Sequence, residues 1–193
     1  MGGSFPDVPP VNNFYRFVET LFHKQVTGGC AGGGYCPTNP VTRAQMAVFL
    51  LKSKYGSAHI PPPCTGTVFS DVPCSGGPFD PWIEELASLQ ITGGCGGGNY
   101  CPASTVTRQQ MAVFLLKAFE GSAYDPPDCT GVFDDVPCTP GTGFSDWIEE
   151  LATRGITTGC NLTPPLYCPT NPNNRGQMAA FLVKTFGLVL YGG

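Results

Sequence analysis

The chain has 193 residues, and its 14 acidic against 10 basic side chains give a net charge of -4 and a pI near 5.0, which excludes the basic footprint that general nucleic-acid binding requires. Only 12% of the residues are charged, while 26 Gly and 20 Pro commit much of the chain to turns and loops, so its helices must be short. No apolar run reaches the roughly 18 to 20 residues that span a bilayer, and Met1-Gly2-Gly3-Ser4 has neither the basic start nor the apolar stretch of a signal peptide.

One pattern is written three times at a spacing of about 65 residues, which predicts units at 1–60, 61–125 and 126–187 and a tail at 188–193. Each unit opens on an aromatic residue, one further residue and then Asp-Val-Pro: Phe5 to Pro9, Phe69 to Pro73 and Phe133 to Pro137. The carboxylates of Asp7, Asp71 and Asp135 are expected to accept from the amides just after them in a turn that Pro stiffens, with ligand contact by Asp71 and Asp135 as the functional alternative.

A first helix follows. Asp80 and Ser145 are its predicted caps in units two and three, Trp82, Ile83 and Leu86 or Trp147, Ile148 and Leu151 its apolar face, and Glu84, Glu85, Glu149 and Glu150 its solvated side. In unit one the same periodicity runs over Asn13 to Phe22 without a Trp. A glycine-rich loop comes next, Val26 to Pro37 and Ile91 to Pro102. In unit three, Ile156 to Pro169, most of the glycines are replaced. No Lys-Ser/Thr follows these glycines, so a phosphate-cradling loop is rejected in favour of a tight turn or small hairpin.

The main helices carry the strongest signal: Val41 to Lys52, Val106 to Lys117 and Asn173 to Lys184. Thr42, Thr107 and Asn174 stand at the N-cap with Gln45, Gln110 and Gln177 three residues on, a capping box. The third box, Asn-Asn-Arg-Gly, reads as the weakest start. The residues beyond are apolar almost all round, as in a helix buried on most sides, and Gly56, Gly121 and Gly187 mark left-handed C-caps. Proline-rich linkers, Gly56 to Cys64 and Gly121 to Cys129, are expected to lie along the body, and the tail either covers an edge of its own chain or pairs with another.

The ten cysteines fall in close couples, Cys30/Cys36, Cys64/Cys74, Cys95/Cys101, Cys129/Cys138 and Cys160/Cys168. Five local disulfides in an oxidising compartment fit these spacings. The competing reading is zinc, which favours tighter couples and more than the two unmatched histidines, His23 and His59.

Taken in order, Phe-x-Asp-Val, Trp-Ile-Glu-x-Leu, Ile-Thr-x-Gly, Tyr-Cys-Pro and Val-Thr-Arg-x-Gln-Met-Ala-x-Phe-Leu resemble the S-layer homology domain over residues 5–187. The resemblance implies a mainly α fold: three helix-loop-helix units closed into a pseudo-threefold prism with grooves between neighbours. It also implies non-covalent attachment to an acidic envelope polysaccharide or peptidoglycan-linked glycan. The family's Thr-Arg-Ala-Glu motif falls on Thr42-Arg43-Ala44-Gln45, Thr107-Arg108-Gln109-Gln110 and Asn174-Arg175-Gly176-Gln177, which nominates Arg43, Arg108 and Arg175 as the ligand residues.

An Arg fork in a first helical turn, beside free amides, suits a carboxylate. The structural alternative pairs it with an acid of a neighbouring unit such as Asp71 or Glu84. Trp82 and Trp147 match the family's helix-one aromatic, a sugar platform or a core residue. Departures are the Gln in place of Glu in every motif and the cysteines. The expectation is a secreted, extracellular, non-catalytic anchoring module with no cofactor and no metal. Its alternative is a structural subunit of a filament, sheath or lattice that binds copies of itself through its termini.

Overall fold

The computed structural model describes residues 3–192. Met1, Gly2 and Gly193, the last of which belongs to the predicted tail, lie outside the described residues. Among the described residues the fold is mainly α, with six helices: α1 (Tyr15–His23), α2 (Arg43–Tyr55), α3 (Asp80–Ser88), α4 (Arg108–Glu120), α5 (Ser145–Thr153) and α6 (Arg175–Thr185). A two-residue hairpin, β1 (Asn161–Leu162) with β2 (Pro165–Leu166), sits in the third glycine-rich loop. The five cysteine couples are disulfides with the pairing expected from their spacing.

The long helices α2, α4 and α6 start where the capping boxes put them. In each box the cap side chain accepts from the Gln amide, and the Gln side chain accepts from the cap amide. The third box is no weaker than the others: Asn174 Oδ1 accepts from the Gln177 amide at 2.8 Å, against 3.2 and 3.4 Å for Thr42 and Thr107. Asparagine reaches as far as threonine and ranks at least as well at this position. Gly56 and Gly121 do end α2 and α4 at positive φ, but with ψ of 169° and 164°, an extended glycine-only conformation rather than a left-handed cap.

These three helices pack on one another, and each short helix lies on the long helix of the preceding unit: α3 on α2, α5 on α4 and α1 on α6. The last contact closes a ring. At its centre the backbone closes a cycle of its own, in which the Val106 amide donates to Val41, Asn173 to Val106 and Val41 to Asn173, at 2.8–2.9 Å. Met46, Met111 and Met178, with Leu50, Leu115 and Leu182, are fully buried in the shared core.

The linkers lie along the body. His59 Nε2 meets the Glu85 carboxylate at 2.8 Å and Tyr124 OH donates to Glu150 at 2.7 Å. The tail takes the corresponding place on α1: the Tyr191 ring stacks on His23 with centroids 4.5 Å apart, and its amide donates to Thr20 Oγ1. It is not a strand, and it covers its own chain.

Two expectations about the short helices are corrected. Asp80 and Ser145 are the first helical residues, not caps, and Phe79 and Phe144 precede them without a side-chain cap bond. Asp80 turns back to accept from the Gly77 amide. Glu84 and Glu149 do not face solvent either. They are 7% and 5% exposed and accept from the amides of Thr65 and Gly66, and of Thr130, Gly131 and Val132. Glu19 does the same for Ser4. Adjacent carboxylates do diverge around a helix, as the sequence implies, but one of each pair diverges inward and holds the segment that leads into its unit.

The Cys64–Cys74 disulfide also touches helix one: the Cys74 Sγ lies 3.6 Å from the buried Glu84 Oε1, against the carboxylate that holds Thr65 and Gly66. That contact is not a hydrogen bond, because a disulfide sulfur carries no proton. Cys74 also takes a left-handed backbone, φ 53°, as do Cys36, Cys101 and Cys168 at 58–59°, whereas the sequence marks such positions only at glycine.

Candidate ligand-binding grooves

Each main-helix arginine crosses into the next unit. Arg43 Nε donates to the Tyr100 carbonyl at 2.7 Å while Tyr100 OH donates back to the Arg43 carbonyl at 2.8 Å. Arg108 with Tyr167, and Arg175 with Tyr35, repeat the exchange. The guanidinium lies between two rings of the receiving unit, Tyr100 and Phe114 at 4.6 and 5.4 Å for Arg43, with Tyr167 and Phe181 or Tyr35 and Phe49 for the others. The arginines are only 3–5% exposed. Burial lowers the pKa of each guanidinium, and the tyrosine and the aspartate beside it work against that. The same burial pushes Tyr35, Tyr100 and Tyr167 far above the ordinary phenol value.

Among the described residues no arginine of the three forms an ion pair with Asp71, Glu84 or their counterparts. The lock is a carbonyl and two rings, while each aspartate carboxylate is engaged by backbone amides. Asp7 accepts from the amides of Tyr35 and Cys36, Asp71 from Tyr100 and Cys101, and Asp135 from Tyr167 and Cys168, all at 2.7–2.8 Å. These amides lie about 30 residues downstream, not just after the aspartate. Burial raises the Asp7 pKa, but the Tyr35 and Cys36 amides outweigh it and leave it below the ordinary 3.8.

The amides of the first helical turn are not free for a ligand. Those of Arg43 and Ala44 donate to the Ser104 and Pro102 carbonyls, and the equivalents in α4 and α6 donate to Asn171, Pro169, Asn39 and Pro37. The helix starts are spent on closing the ring. What remains for a ligand is the outward side of each guanidinium and the groove above it.

There are three such grooves, built alike, of about 270, 240 and 240 Å³. The first has Arg175 with Thr27, Gln45, Phe49, Lys52 and Phe79; the second has Arg43 with Thr92, Gln110, Phe114, Lys117 and Phe144. The third has Arg108 with Thr157, Gln177, Phe181, Lys184 and Phe14. Every groove thus takes its loop and helix face from one unit, its arginine from another and its end wall from the third. Of the residues nominated from sequence, the arginines come into the grooves. Asp71, Asp135, Trp82 and Trp147 line none of these three.

Trp82 and Trp147 are half-buried against the core, with Lys52 and Lys117 Nζ 5.8 and 5.7 Å from their ring centroids. The lysines and the loop threonines were not singled out from sequence, and the glutamines only as capping-box residues and as departures from the family motif. The signal was present: Gln45, Val48, Phe49 and Lys52 recur at i, i+3, i+4 and i+7, one face of a helix. The glycines shape the loop. At Gly94, φ +89°, a Cβ would run into the Asn99 carbonyl and the Phe69 ring. Gly176, the odd residue of the third motif, is explained by Phe14, whose ring lies where its Cβ would be.

The family model of the S-layer homology domain matches residues 4–47 and 68–112. The two matched segments are S-layer homology domains. The third unit repeats the capping box, the crossing arginine and the aspartate clamp of the two matched segments. The chain is also similar to an endoglucanase of Bacillus sp. (strain KSM-635), 26% identical over 118 residues, which is 60% of this chain and 12% of that protein. It therefore corresponds to a small part of that enzyme's length.

Proposed function

We propose that this chain is a non-catalytic module that anchors to the cell envelope by binding an acidic surface polysaccharide or peptidoglycan-linked glycan in its inter-unit grooves. The observation that supports this most is the threefold recurrence of one constellation: a buried guanidinium, a lysine and a glutamine facing an aromatic wall and a threonine loop. Cations set in a half-apolar cleft suit a sugar that carries a carboxylate, with ring faces against Phe49, Phe114 or Phe181. Five disulfides fit a secreted, extracellular setting, and no described helix is long and apolar enough to cross a membrane.

The test cannot rest on the arginines, since removing one also unpins two units. The lysines are the cleaner probes. Lys52→Met, Lys117→Met and Lys184→Met together should leave the melting temperature within a few degrees and abolish most retention of the purified chain on isolated envelope polysaccharide. Undiminished retention would count against the groove reading. Filaments seen by electron microscopy, with no glycan retention, would favour a self-assembling subunit instead.

A further inference from the structure

The three grooves share a plan but differ in how much of their hydrogen-bonding capacity is already used. In the first groove Arg175 Nη2 donates to the Gly29 carbonyl at 3.1 Å, and in the second Arg43 Nη2 reaches Thr92 Oγ1 at 3.5 Å. In the third, Arg108 Nη2 is buried and finds no acceptor among the described residues, although the side chain is only 3% exposed. An ionised donor shut from water without a partner is costly, and an arriving acceptor removes that cost.

Two further differences fall on the same groove. Thr158 lines it where Gly28 and Gly93 stand in the others, adding a hydroxyl. Lys52 and Lys117 are half-buried over tryptophan rings. Lys184 is exposed and faces the Gly155 carbonyl, because the helix-one position of the tryptophans is Phe17 in the first unit. The third groove therefore offers an unpartnered guanidinium Nη2, a hydroxyl and an exposed ammonium, where the first two offer an arginine whose Nη2 already has an acceptor and a half-buried lysine over a tryptophan ring.

We infer that the third groove, that of Arg108, Thr158 and Lys184, is the principal carboxylate site of the chain and fills first with an acidic sugar. This rests on the groove reading above and sharpens it, since the arginine motif of the third repeat serves the first groove and not the third. The orphaned donor finds its acceptor in the ligand carboxylate, the Thr158 hydroxyl supplies a second hydrogen bond, and Lys184 adds charge at the rim.

Methyl β-glucuronide titrated into the isotope-labelled full chain, with methyl β-glucoside as the neutral control, tests it by amide shifts. Thr157 to Gly159 should respond at about tenfold lower concentration than Thr27 to Gly29 or Thr92 to Gly94, and glucoside should leave all three loops unmoved. Thr158→Gly and Lys184→Met should each weaken the third groove several-fold and leave the melting temperature unchanged. Gly93→Thr should strengthen the second, because a Cβ there meets nothing within 4 Å. Equal response in all three grooves, or saturation of the first or second before the third, overturns the ranking and leaves the groove reading standing. No response in any groove overturns both.

Discussion

The inner ring and the outer rim of this molecule are held by different forces. In the ring, α2, α4 and α6 bury methionine and leucine around a closed cycle of backbone hydrogen bonds. On the rim, the glycine-rich loops bury little beyond Val26, Ile91 and Ile156 at their starts and Tyr35, Tyr100 and Tyr167 near their ends, and are held by a disulfide and an aspartate each. A loop with too little apolar surface to offset its own ordering needs cross-links and charge-assisted bonds. The arginines join the two regions, reaching from the ring into the rim of the next unit.

Breaking the rim should have the largest effect. The disulfides close separations of 6 to 10 residues, each worth about 2 kcal/mol in the chain-entropy model, so reducing all five removes an amount comparable with a domain's whole stability. A phosphine reductant should lower the melting temperature by tens of degrees. Hydrogen exchange should show Tyr100 and Cys101 opening before the amides of α2 and α4. Loss of the ring first, or of both regions together, would break the distinction drawn between them.

Cutting the bridge comes next. Arg43→Ala removes a charged hydrogen bond and two ring contacts, a cost of about 3 kcal/mol, and it should also expose the Tyr100 loop to protease. Arg43→Met, which keeps some packing, should cost less. The comparison of the two by denaturant titration separates stacking from hydrogen bonding.

Acid should act on the rim through its carboxylates. Burial raises the pKa of Glu84 and Glu149, but the amides of Thr65 and Gly66, and those of Thr130, Val132 and Gly131, outweigh it and leave both below the ordinary 4.5. A depressed carboxylate stabilises the fold above its unfolded pKa, and that stability is lost as pH falls through the lower folded value. The melting temperature should therefore hold above pH 4.5 and fall below it. Glu84→Gln with Glu149→Gln should cost about 1 kcal/mol each at neutral pH and flatten that acid slope. An unchanged slope would assign acid sensitivity to other groups.

The same division explains what could be read beforehand. The ring was legible because capping boxes and apolar runs are local signals: Thr42 and Gln45 announce a helix start without reference to the rest of the chain. The disulfides were legible because their partners are sequence neighbours, although what Cys74 packs against was not. The rest of the rim was not legible either. Asp71 looks like an ordinary turn aspartate, and nothing local says that its donors are the amides of Tyr100 and Cys101. Glu84 looks like a surface residue until the linker before it is folded back. The arginines were nominated as ligand residues from their motif, but that their first-turn amides are taken by the next unit's loop follows only from ring closure.

The smallest expected effect lies inside the ring and has the opposite sign. Asn173 occupies the axial place of Val41 and Val106, fully buried, and neither its Nδ2 nor its Oδ1 has a hydrogen-bond partner among the described residues. Its backbone alone completes the central cycle, and valine supplies the same backbone groups. Replacing an unsatisfied buried amide with an apolar side chain of similar size removes a desolvation cost and adds nothing that must be paired. Asn173→Val should therefore raise stability by about 1 kcal/mol in a denaturant titration, with no change in glycan retention, because the axis faces none of the three grooves. A loss of stability instead would mean that the amide holds a buried water which valine expels, and the axis would then belong with the rim as a region that depends on polar bonds.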